Sequence, residues 1–388
     1  MNILLDFIPL QDIGNGGIGG AATFTHSVYE SLLSRTEEKP ILFAAYDKRY
    51  PVGKQYDYHD FSKQNNITLI DISTRRMADI IAEKQIDVFF IAIGQFYAPY
   101  DLKDISCKTI MFIHDIFNVE SYDNKIDLSL WGPLSIHKWN YCKRIINTLS
   151  GRNRRRLKRI YKNIIPLFSS PLTRAYTVSN YSREALYYYF PEINKPIHVC
   201  YSPKKKVSDC PDIENEQLND IIESQKKYLL LIAANRIYKN AQVVMKAFSR
   251  LQAEYNDLYL VTLNYGQSVN DHHIDIAFLN ENDLEKAYQH AYALLFPSLF
   301  EGFGYPPIEA MKYGTPIIAS NVTSIPEILG NAGIYFSPLY PADLYRAIKV
   351  VIGNRDINKT EMEKRYKEIT NKQQNDLNNL IAEILSKK

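Results

Sequence analysis

The sequence of 388 residues lacks features that would each define a class of protein. Its four cysteines are far apart and form no C-x-x-C pair, which excludes a disulfide framework and a cysteine zinc site. No apolar run approaches the roughly 20 residues that span a bilayer, and the strongest, residues 88–93, lies between Asp87 and Gly94. The first residues show no basic segment followed by an apolar one, so we expect no secretory signal and a cytoplasmic location.

Glycine and proline are also scarce, at 16 and 18 residues, whereas 46% of the residues are apolar and 23% are charged. These proportions exclude collagen-like and low-complexity chains and are typical of a globular protein. At roughly 150 residues per domain, the length allows two or three domains, each large enough to bury a core.

Acidic residues are absent from residues 128–183, although that segment contains twelve Lys and Arg residues. Within residues 139–168 apolar residues accompany these cations at helical spacing, a pattern typical of helices on anionic lipid surfaces. We therefore predict that residues 139–168 bind an anionic membrane and that their apolar side chains enter the lipid. A solvated helix face is the alternative, and no nucleic-acid partner is expected because no binding motif accompanies the charges.

Short apolar, β-branched runs alternate with amphipathic stretches along the whole chain, which is typical of parallel sheets with crossover helices. The predicted strands lie near residues 3–8, 41–45, 67–72, 88–93, 109–113 and 175–178, and near residues 228–233, 258–263, 274–279, 293–297, 316–319 and 334–336. Residues 203–225 separate the two series and lack a strand pattern.

The sequence thus predicts an α/β protein with two Rossmann-like, doubly wound domains facing across a cleft, residues 1–201 and 202–388. The last helix, near residues 359–385, is expected either to cap the second domain or to cross back to the first.

A glycine-rich stretch, GNGGIGG at residues 14–20, follows the first predicted strand and precedes a helix. Glycine lets the backbone approach a ligand, and a helix N-terminus offers N–H groups to an anion. The stretch indicates either a phosphate site or a turn that only needs positive φ.

A second stretch, FPSLFEGFGYPPIEAM at residues 296–311, is more specific. Its glycine loop would free backbone amides where a helix is expected to start at Pro307. Glu309 is then expected in the first helical turn and Glu301 before the loop, so that two carboxylates bracket a polyhydroxylated ligand with anionic oxygens. A carboxylate that only stabilises a positive helix end is the alternative for Glu309.

These residues resemble the family-4 retaining glycosyltransferases, which have the two-Rossmann B-type fold (GT-B). Glu301 and Glu309 reproduce the E-x7-E signature of that family. Further matching stretches are NRIYKN at residues 235–240, GTPIIASN at 314–321, SIPE at 324–327 and NAG at 331–333, with GGIG at 16–19, IHD at 113–115 and TVSNYS at 177–182 in the first half. The family usually has glycine where Ala233 or Ala234 stands, and an Asn-Gly turn where residues 201–203 end the first domain.

The resemblance implies transfer of a sugar from a nucleotide-diphosphate-sugar to a glycan or lipid-linked glycan in O-antigen or capsule synthesis, with retained anomeric configuration. In the second domain, the resemblance implies contacts of Glu309 with the ribose, of Glu301 with a sugar hydroxyl, and of Arg236 and Lys239 with the diphosphate. The backbone at Gly302, Phe303 and Gly304 would contact the sugar and the phosphate. In the first domain, the resemblance implies that Gly17 and Gly19 contact the phosphate and that His114 lies near the sugar.

No metal or other cofactor is expected, because the chain contains no D-x-D triplet, the usual signature of metal-dependent transferases. A sugar-nucleotide epimerase or phosphorylase on the same fold, and a non-catalytic nucleotide-sugar-binding scaffold at the membrane, remain alternatives. The base stays open among guanine, uracil, thymine and adenine.

Overall fold

A computed structural model of the chain describes residues 1–13, 19–35, 40–123, 146, 150–205 and 212–386. The chain divides into two compact units. The first contains Met1–Lys205 together with Gln373–Lys388, and the second contains Lys206–Lys372. The predicted domain boundary after residue 201 lies four residues before the observed division.

The first unit is built on a seven-stranded parallel sheet with the order β3-β2-β1-β4-β5-β6-β7. Its strands are β1 (Asn2–Asp6), β2 (Ile41–Tyr46), β3 (Thr68–Asp71), β4 (Val88–Ile91), β5 (Lys108–Phe112), β6 (Thr173–Thr177) and β7 (Ile197–Val199). All six strands predicted in this half are present. The sequence did not predict β7, because three residues at a sheet edge are too short to show a strand pattern.

Helices connect these parallel strands and pack their apolar sides on the sheet. They are α1 (Gly20–Ser34), α2 (Tyr58–Gln64), α3 (Met77–Glu83), α4 (Phe117–Asp123), α5 (Arg152–Phe168) and α6 (Asn180–Tyr189). The core joins Phe89 and Met111 of the sheet to Ile164 and Phe168 of α5, all fully buried.

The second unit is built on a six-stranded parallel sheet with the order β10-β9-β8-β11-β12-β13. Its strands are β8 (Lys227–Leu231), β9 (Leu258–Leu263), β10 (His273–Ile276), β11 (Ala293–Phe296), β12 (Ile317–Ser320) and β13 (Gly333–Phe336). Its helices are α7 (Glu216–Glu223), α8 (Ala241–Leu251), α9 (Glu281–His290), α10 (Tyr305–Met311), α11 (Ile325–Leu329) and α12 (Pro341–Gly353). Each predicted strand of this half is present.

The last helix, α13 (Lys359–Ile384), begins in the second unit and ends in the first. Near its start, Arg365 Nε donates a hydrogen bond to the carbonyl of Ile328, at 2.8 Å. Near its end, Lys108 Nζ lies 2.7 Å from Glu383 Oε1. Residues from Gln373 onward therefore belong with the first unit, as in the second of the two placements expected for this helix.

Both sheets reverse their strand order once, between β1 and β4 in the first unit and between β8 and β11 in the second. In open parallel sheets, ligands bind at the carboxyl ends of the strands beside such a reversal. The loops after these four strands are therefore the places to look for a site in each unit.

Candidate functional site

Two charged side chains that the sequence singles out, Lys239 and Glu301, form a buried ion pair. Lys239 follows β8 and Glu301 follows β11, and these two strands are neighbours in the sheet. Lys239 Nζ lies 2.5 Å from Glu301 Oε1, and the side chains are 8% and 13% exposed. The same Nζ lies 4.8 Å from the centre of the Phe296 ring. The structure thus brings together the residues predicted to contact the diphosphate and the sugar.

Arg236, the other predicted diphosphate contact, lies in the same loop as Lys239. Its side chain is half-buried, and Nη1 donates a hydrogen bond to the Tyr238 hydroxyl, at 3.0 Å. Asn240 ends this loop with φ 54°, and its side-chain amide donates to the carbonyl of Pro338, at 2.8 Å. Because this amide anchors the loop, the backbone holds both cations at the carboxyl end of β8.

The helix after the second glycine loop begins earlier than predicted. It begins at Tyr305 instead of Pro307, because Gly304 has φ 100° and turns the chain directly into α10. The prediction that Glu309 lies in the first turn is therefore wrong, since Glu309 is the fifth helical residue. Pro306 and Pro307 have no N–H group, so hydrogen-bond donors at this helix end come mainly from the preceding loop.

The carbonyls of this glycine loop are held from behind by a serine. Ser324 Oγ donates to the carbonyl of Glu301, at 2.9 Å, and to that of Phe303, at 3.3 Å. Within the part of the chain that the structure describes, the N–H groups of Gly302 and Gly304 have no acceptor. The loop therefore offers donors where the sequence predicts an anionic ligand.

Glu309 lies beside the hydroxyl of Tyr288, which belongs to the neighbouring helix α9. Burial, and then the negative charge of Glu309, raise the pKa of the Tyr288 hydroxyl well above its usual value. The phenol therefore keeps its proton at neutral pH and lies beside the half-buried carboxylate. A carboxylate has lone pairs for several donors, so Glu309 can still accept from two adjacent hydroxyls.

The structure shows which of two alanines, Ala233 or Ala234, has the backbone conformation of the glycine that the family usually has after β8. Ala233 has φ 52°, in the left-handed region that favours glycine, whereas Ala234 is buried and is not in that region. The turn thus keeps the conformation that glycine adopts most readily, with a Cβ present.

In the first unit, Gly19 lies at the start of α1 with φ 121°, and Gly17 lies outside the described residues. The Gly19 N–H donates to Gln55 Oε1, at 3.3 Å. The Gln55 amide donates in turn to the Tyr56 hydroxyl, at 3.1 Å. The backbone N–H predicted to contact phosphate is therefore covered by a side chain from the β2–α2 connection, which no sequence pattern revealed.

His114 follows β5, and its ring is packed against aromatic side chains. The centre of the ring lies 4.6 Å from that of Phe24, at an interplanar angle of 82°. Burial lowers the pKa of His114 to about 4, so the ring is neutral at pH 7. Nε2 is buried and has no hydrogen-bond partner among the described residues. The predicted place of His114 near a sugar hydroxyl stays a prediction.

Sequence reasoning missed Asp6, the last residue of β1. Asp6 is fully buried, and its carboxylate accepts the N–H groups of Ala92, at 3.1 Å, and Ile93, at 3.3 Å. It therefore joins the end of β1 to the residues that follow β4. The signal was available, because an acidic residue in a buried apolar strand requires hydrogen-bond partners.

The basic segment predicted to bind a membrane is partly described: residues 139–145 and 147–149 lie outside the described residues, as do the side chains of Arg154, Arg156 and Lys158. Among the described side chains of α5, the exposed cations are Arg152, Arg155, Arg159 and Lys162, whose spacing places them on one face. The buried residues of α5 include Tyr161, Ile164, Ile165 and Leu167. The expectation that apolar side chains enter the lipid is wrong for these four, because the core of the first unit covers them.

Among the described residues, no helix is both long and apolar enough to cross a bilayer. The same residues contain no group of three or more His, Cys, Asp or Glu side chains placed to hold a metal ion. Independence from metal stays a prediction.

Residues 212–373 match the model of the family described as glycosyl transferases group 1. The chain is 30% identical over 161 residues to O-antigen chain mannosyltransferase RfbU of Salmonella typhimurium strain LT2, covering 36% of this chain and 46% of the relative. It is 26% identical over 259 residues to O-antigen chain mannosyltransferase B of Escherichia coli, covering 63% of this chain and 60% of the relative. The chain thus matches less than two thirds of the length of either relative.

Among solved structures, Anabaena HepE in complex with UDP-glucose resembles this chain over the whole length of both, with a TM-score of 0.62 and 13% identity. At this identity the likeness shows the fold, which is the two-Rossmann GT-B fold. Arg236, Lys239, Glu301 and Glu309 all lie within the matched family segment. Residues 212–373 thus match the glycosyl transferases group 1 family, in a chain with the two-Rossmann GT-B fold that resembles the family-4 glycosyltransferases.

Proposed function

We propose that the protein is a glycosyltransferase that moves a sugar from a nucleotide-diphosphate-sugar to a glycan or lipid-linked glycan in surface polysaccharide synthesis. The observation that carries the proposal is the buried pair of Lys239 and Glu301 beside the glycine loop. A diphosphate leaving group gains negative charge as its bond to the sugar breaks, and a preorganised cation in a poorly solvated site stabilises that charge. The adjacent carboxylate holds Lys239 in place and can accept a sugar hydroxyl.

The donor contacts in the second unit follow from the same geometry. Lys239 and Arg236 neutralise the diphosphate, and the N–H groups of Gly302 and Gly304 bind its oxygens and the sugar. Glu309 accepts hydrogen bonds from the two ribose hydroxyls, with Tyr288 beside it. Each contact pairs a fixed group of the protein with a complementary group of a nucleotide-diphosphate-sugar.

In the first unit we propose two ligand contacts. His114 lies near a sugar hydroxyl, as the family resemblance implies. The Gly19 N–H binds a phosphate oxygen in place of Gln55. This exchange replaces a neutral acceptor by a charged one, which makes a stronger hydrogen bond.

The proposed reaction keeps the configuration of the transferred sugar. The acceptor hydroxyl attacks the anomeric carbon on the face from which the diphosphate departs, the bond from that carbon to the phosphate oxygen breaks, and a phosphate oxygen takes the hydroxyl proton. No nucleophile of the protein is needed. The names of the relatives as mannosyltransferases favour a hexose, and we place mannose first.

Binding and turnover test the proposal together. A thermal-shift series with GDP, UDP, dTDP and ADP should raise the melting temperature with one nucleotide, because a ligand stabilises only the state that binds it. The sugar donors of that nucleotide are then incubated with lipid-linked or free glycan acceptors, and the anomeric configuration of the product is read by NMR. Nucleotide release without an acceptor product would favour an epimerase or phosphorylase, and binding without any turnover would favour a non-catalytic scaffold.

We further propose that the exposed cations of α5 hold the protein at the cytoplasmic face of an anionic membrane, where a lipid-linked acceptor is found. Each Lys or Arg near such a surface contributes about 1 kcal/mol, so four on one helix face give substantial attraction without inserted apolar side chains. The attraction is screened over about 8 Å at physiological ionic strength, so salt should weaken it.

Vesicle flotation tests the membrane contact. Charge reversal to Glu at Arg152, Arg155, Arg159 and Lys162 should release the protein from anionic vesicles at low salt and leave nucleotide binding unaltered. The matched control reverses four exposed cations of the second unit, Lys246, Arg250, Lys364 and Lys367. Equal loss of vesicle binding in both variants would show that the attraction depends on net charge alone. Failure of the wild-type protein to bind anionic vesicles would refute the contact.

A further inference from the structure

We propose that Thr323 and Ser324 are positioning residues: their hydroxyl groups fix the peptide group between Glu301 and Gly302 so that the Gly302 N–H faces the phosphate next to the sugar. The inference rests on the proposed function, because that phosphate belongs to the proposed sugar donor. Neither hydroxyl touches the donor or a reacting atom in this proposal.

The two neighbouring hydroxyl groups hold the backbone of Glu301. The Glu301 N–H donates to Thr323 Oγ1, at 3.1 Å. Ser324 Oγ donates to the Glu301 carbonyl, at 2.9 Å, and less closely to that of Phe303, at 3.3 Å. Ser324 is fully buried, so bulk water does not compete for its hydrogen. Both polar groups of the Glu301 backbone therefore face the segment between β12 and α11.

The contact with the Glu301 carbonyl sets the direction of the next N–H group. In a trans peptide the C=O and N–H bonds point in opposite directions. Because this carbonyl points at Ser324, the N–H of half-buried Gly302 points away from Ser324, and it has no acceptor among the described residues. Gly302 directly follows Glu301, whose carboxylate pairs with Lys239. The free N–H thus belongs to the neighbour of the ion pair that we assign to the donor.

The local sequence does not fix this orientation. Gly302 has no Cβ, so the peptide group before it can reverse at little steric cost, as the two common turn types with glycine at the third position show. A reversed peptide would present the Glu301 carbonyl, with its partial negative charge, to the phosphate. The orientation that binds an anion therefore depends on hydroxyl groups from another part of the chain.

The backbone of Thr323 is a second observation that points to this role. Its φ is 55°, in the left-handed region, which a β-branched residue rarely adopts. Such strain persists only where the surrounding contacts impose it, and it is concentrated at functional sites. Here the strained turn places two consecutive hydroxyl groups on the backbone of one residue, Glu301.

The position of Glu301 assigns the phosphate. In the proposed function Glu301 accepts a sugar hydroxyl and Glu309 accepts ribose hydroxyls, so the residue after Glu301 lies toward the sugar end of the diphosphate. We therefore expect the Gly302 N–H to bind the β-phosphate, which carries the sugar and gains charge as that bond breaks. A nucleoside monophosphate lacks this phosphate and supplies the comparison.

Selective labelling reads the peptide group directly, because the chain contains one Glu-Gly pair, Glu301 and Gly302. Protein with 13C-carbonyl glutamate and 15N-glycine gives one NMR signal that depends on a bond between the two labels. In Ser324→Ala, we expect the Glu301 carbonyl signal to move upfield, because the carbonyl loses a polarising hydrogen bond, and the Gly302 signal to broaden or split. An unchanged signal would overturn the proposal.

Ligand binding separates a positioning role from a structural one. With the nucleoside chosen by thermal shift, Ser324→Ala should weaken binding of the diphosphate about tenfold, the effect of one hydrogen bond to a charged group, and leave the monophosphate unaffected. An equal loss for both ligands would overturn the proposal. If wild type binds neither ligand, the proposed function fails, and the Glu301–Gly302 signal still decides whether the hydroxyl groups set the peptide orientation.

Thr323 provides a second pair of variants in case Ser324→Ala does not fold. Thr323→Val keeps the shape and removes the acceptor of the Glu301 N–H, so it should also weaken the diphosphate selectively. Thr323→Ser keeps the hydroxyl and should bind both ligands as wild type does. If Thr323→Ser loses as much diphosphate affinity as Thr323→Val, the hydroxyl is not the cause and the proposal fails.

Thr315 supplies a matched control in the same unit. It is a buried residue whose hydroxyl donates to the carbonyl of Tyr288, at 2.7 Å, and not to the glycine loop. Thr315→Val should therefore keep the wild-type Glu301–Gly302 signal and the wild-type ratio of diphosphate to monophosphate affinity. A change in that ratio as large as in Ser324→Ala would show that loss of any buried hydroxyl has this effect, and would overturn the proposal.

Discussion

Lys239 Nζ and Glu301 Oε1 lie 2.5 Å apart, although the two residues are 62 positions apart in the chain. One side chain follows β8 and the other follows β11, so the ion pair spans the point where the strand order of the second sheet reverses. Removing one member of a buried pair leaves the other charge without its partner, which costs more than the pair itself contributes. The two cations of this loop should therefore respond differently to mutation.

Lys239→Ala should lower the free energy of unfolding by about 3 kcal/mol and abolish turnover, because Glu301 is left buried and unpaired. Arg236→Ala should lower turnover while changing stability by less than about 1 kcal/mol, since its side chain is half-buried and makes a hydrogen bond to Tyr238. Denaturant titration and initial rates measure the two effects. The double variant Lys239→Met, Glu301→Gln should be more stable than Lys239→Ala and remain inactive. If its stability is no higher, the unpaired charge of Glu301 is not the cause of the loss in Lys239→Ala.

Glu309→Gln should weaken nucleotide binding by about 1.5 to 3 kcal/mol, because a charged acceptor for the ribose hydroxyls becomes a neutral amide. Isothermal titration with the nucleotide chosen by thermal shift measures the change. Glu285→Gln is the control, since Glu285 of α9 is a buried carboxylate that pairs with Lys312, the residue directly after α10, at 2.6 Å. An unchanged dissociation constant in Glu309→Gln would remove that residue from the nucleotide site.

Chelation should leave activity nearly intact, because Lys239 and Arg236 supply the positive charge that a metal ion would otherwise bring to the diphosphate. Initial rates are compared before and after treatment with EDTA, and again after addition of Mn²⁺ or Mg²⁺. Loss of activity in chelator that Mn²⁺ restores would show that the reaction needs a metal.

Ala233→Gly should stabilise the protein by up to about 1 kcal/mol, because it relieves the steric cost of a Cβ in the left-handed region. Ala234→Gly should instead destabilise it by about 1 kcal/mol, since that buried residue loses a methyl group and gains no relief. Thermal unfolding compares the pair. A lower melting temperature in Ala233→Gly would show that the turn is not strained.

Asp6 and His114 should give opposite pH dependences of stability. The pKa of His114 is lowered to about 4 in the folded protein, so unfolding takes up a proton between pH 4 and 6.5 and stability rises with pH there. The pKa of Asp6 is raised to about 7, so its contribution is present at low pH and is lost as pH rises toward 7.

Substitutions separate these two opposing contributions. The difference in unfolding free energy between Asp6→Asn and wild type should become more positive as pH rises from 4 to 6.5. The same difference for His114→Gln should become more negative over that range. Denaturant titrations at half-unit pH intervals measure both differences. Parallel curves for wild type and a variant would mean that the substituted group does not titrate as stated.

The sequence alone predicted nearly all of the described strands and the family resemblance. Apolar periodicity is a local property, so twelve of the thirteen strands in the described residues followed from runs of neighbouring residues, and β7 was missed because it has three residues. Glu301 and Glu309 were found because the E-x7-E spacing lies within one short stretch. The start of α10 was misplaced because the φ of Gly304, and not the position of Pro307, decides where that helix begins.

Contacts between distant parts of the chain were decided only by the tertiary structure. The pairing of Lys239 with Glu301, the cover of the Gly19 N–H by Gln55 and the hydrogen bonds from Ala92 and Ile93 to Asp6 each join distant parts of the chain. The same holds for α5, whose amphipathic pattern fits a membrane or a core equally well until the sheet beneath it is known. Periodicity shows which face of an element is apolar, but only strand order determines which loops meet and what covers that face.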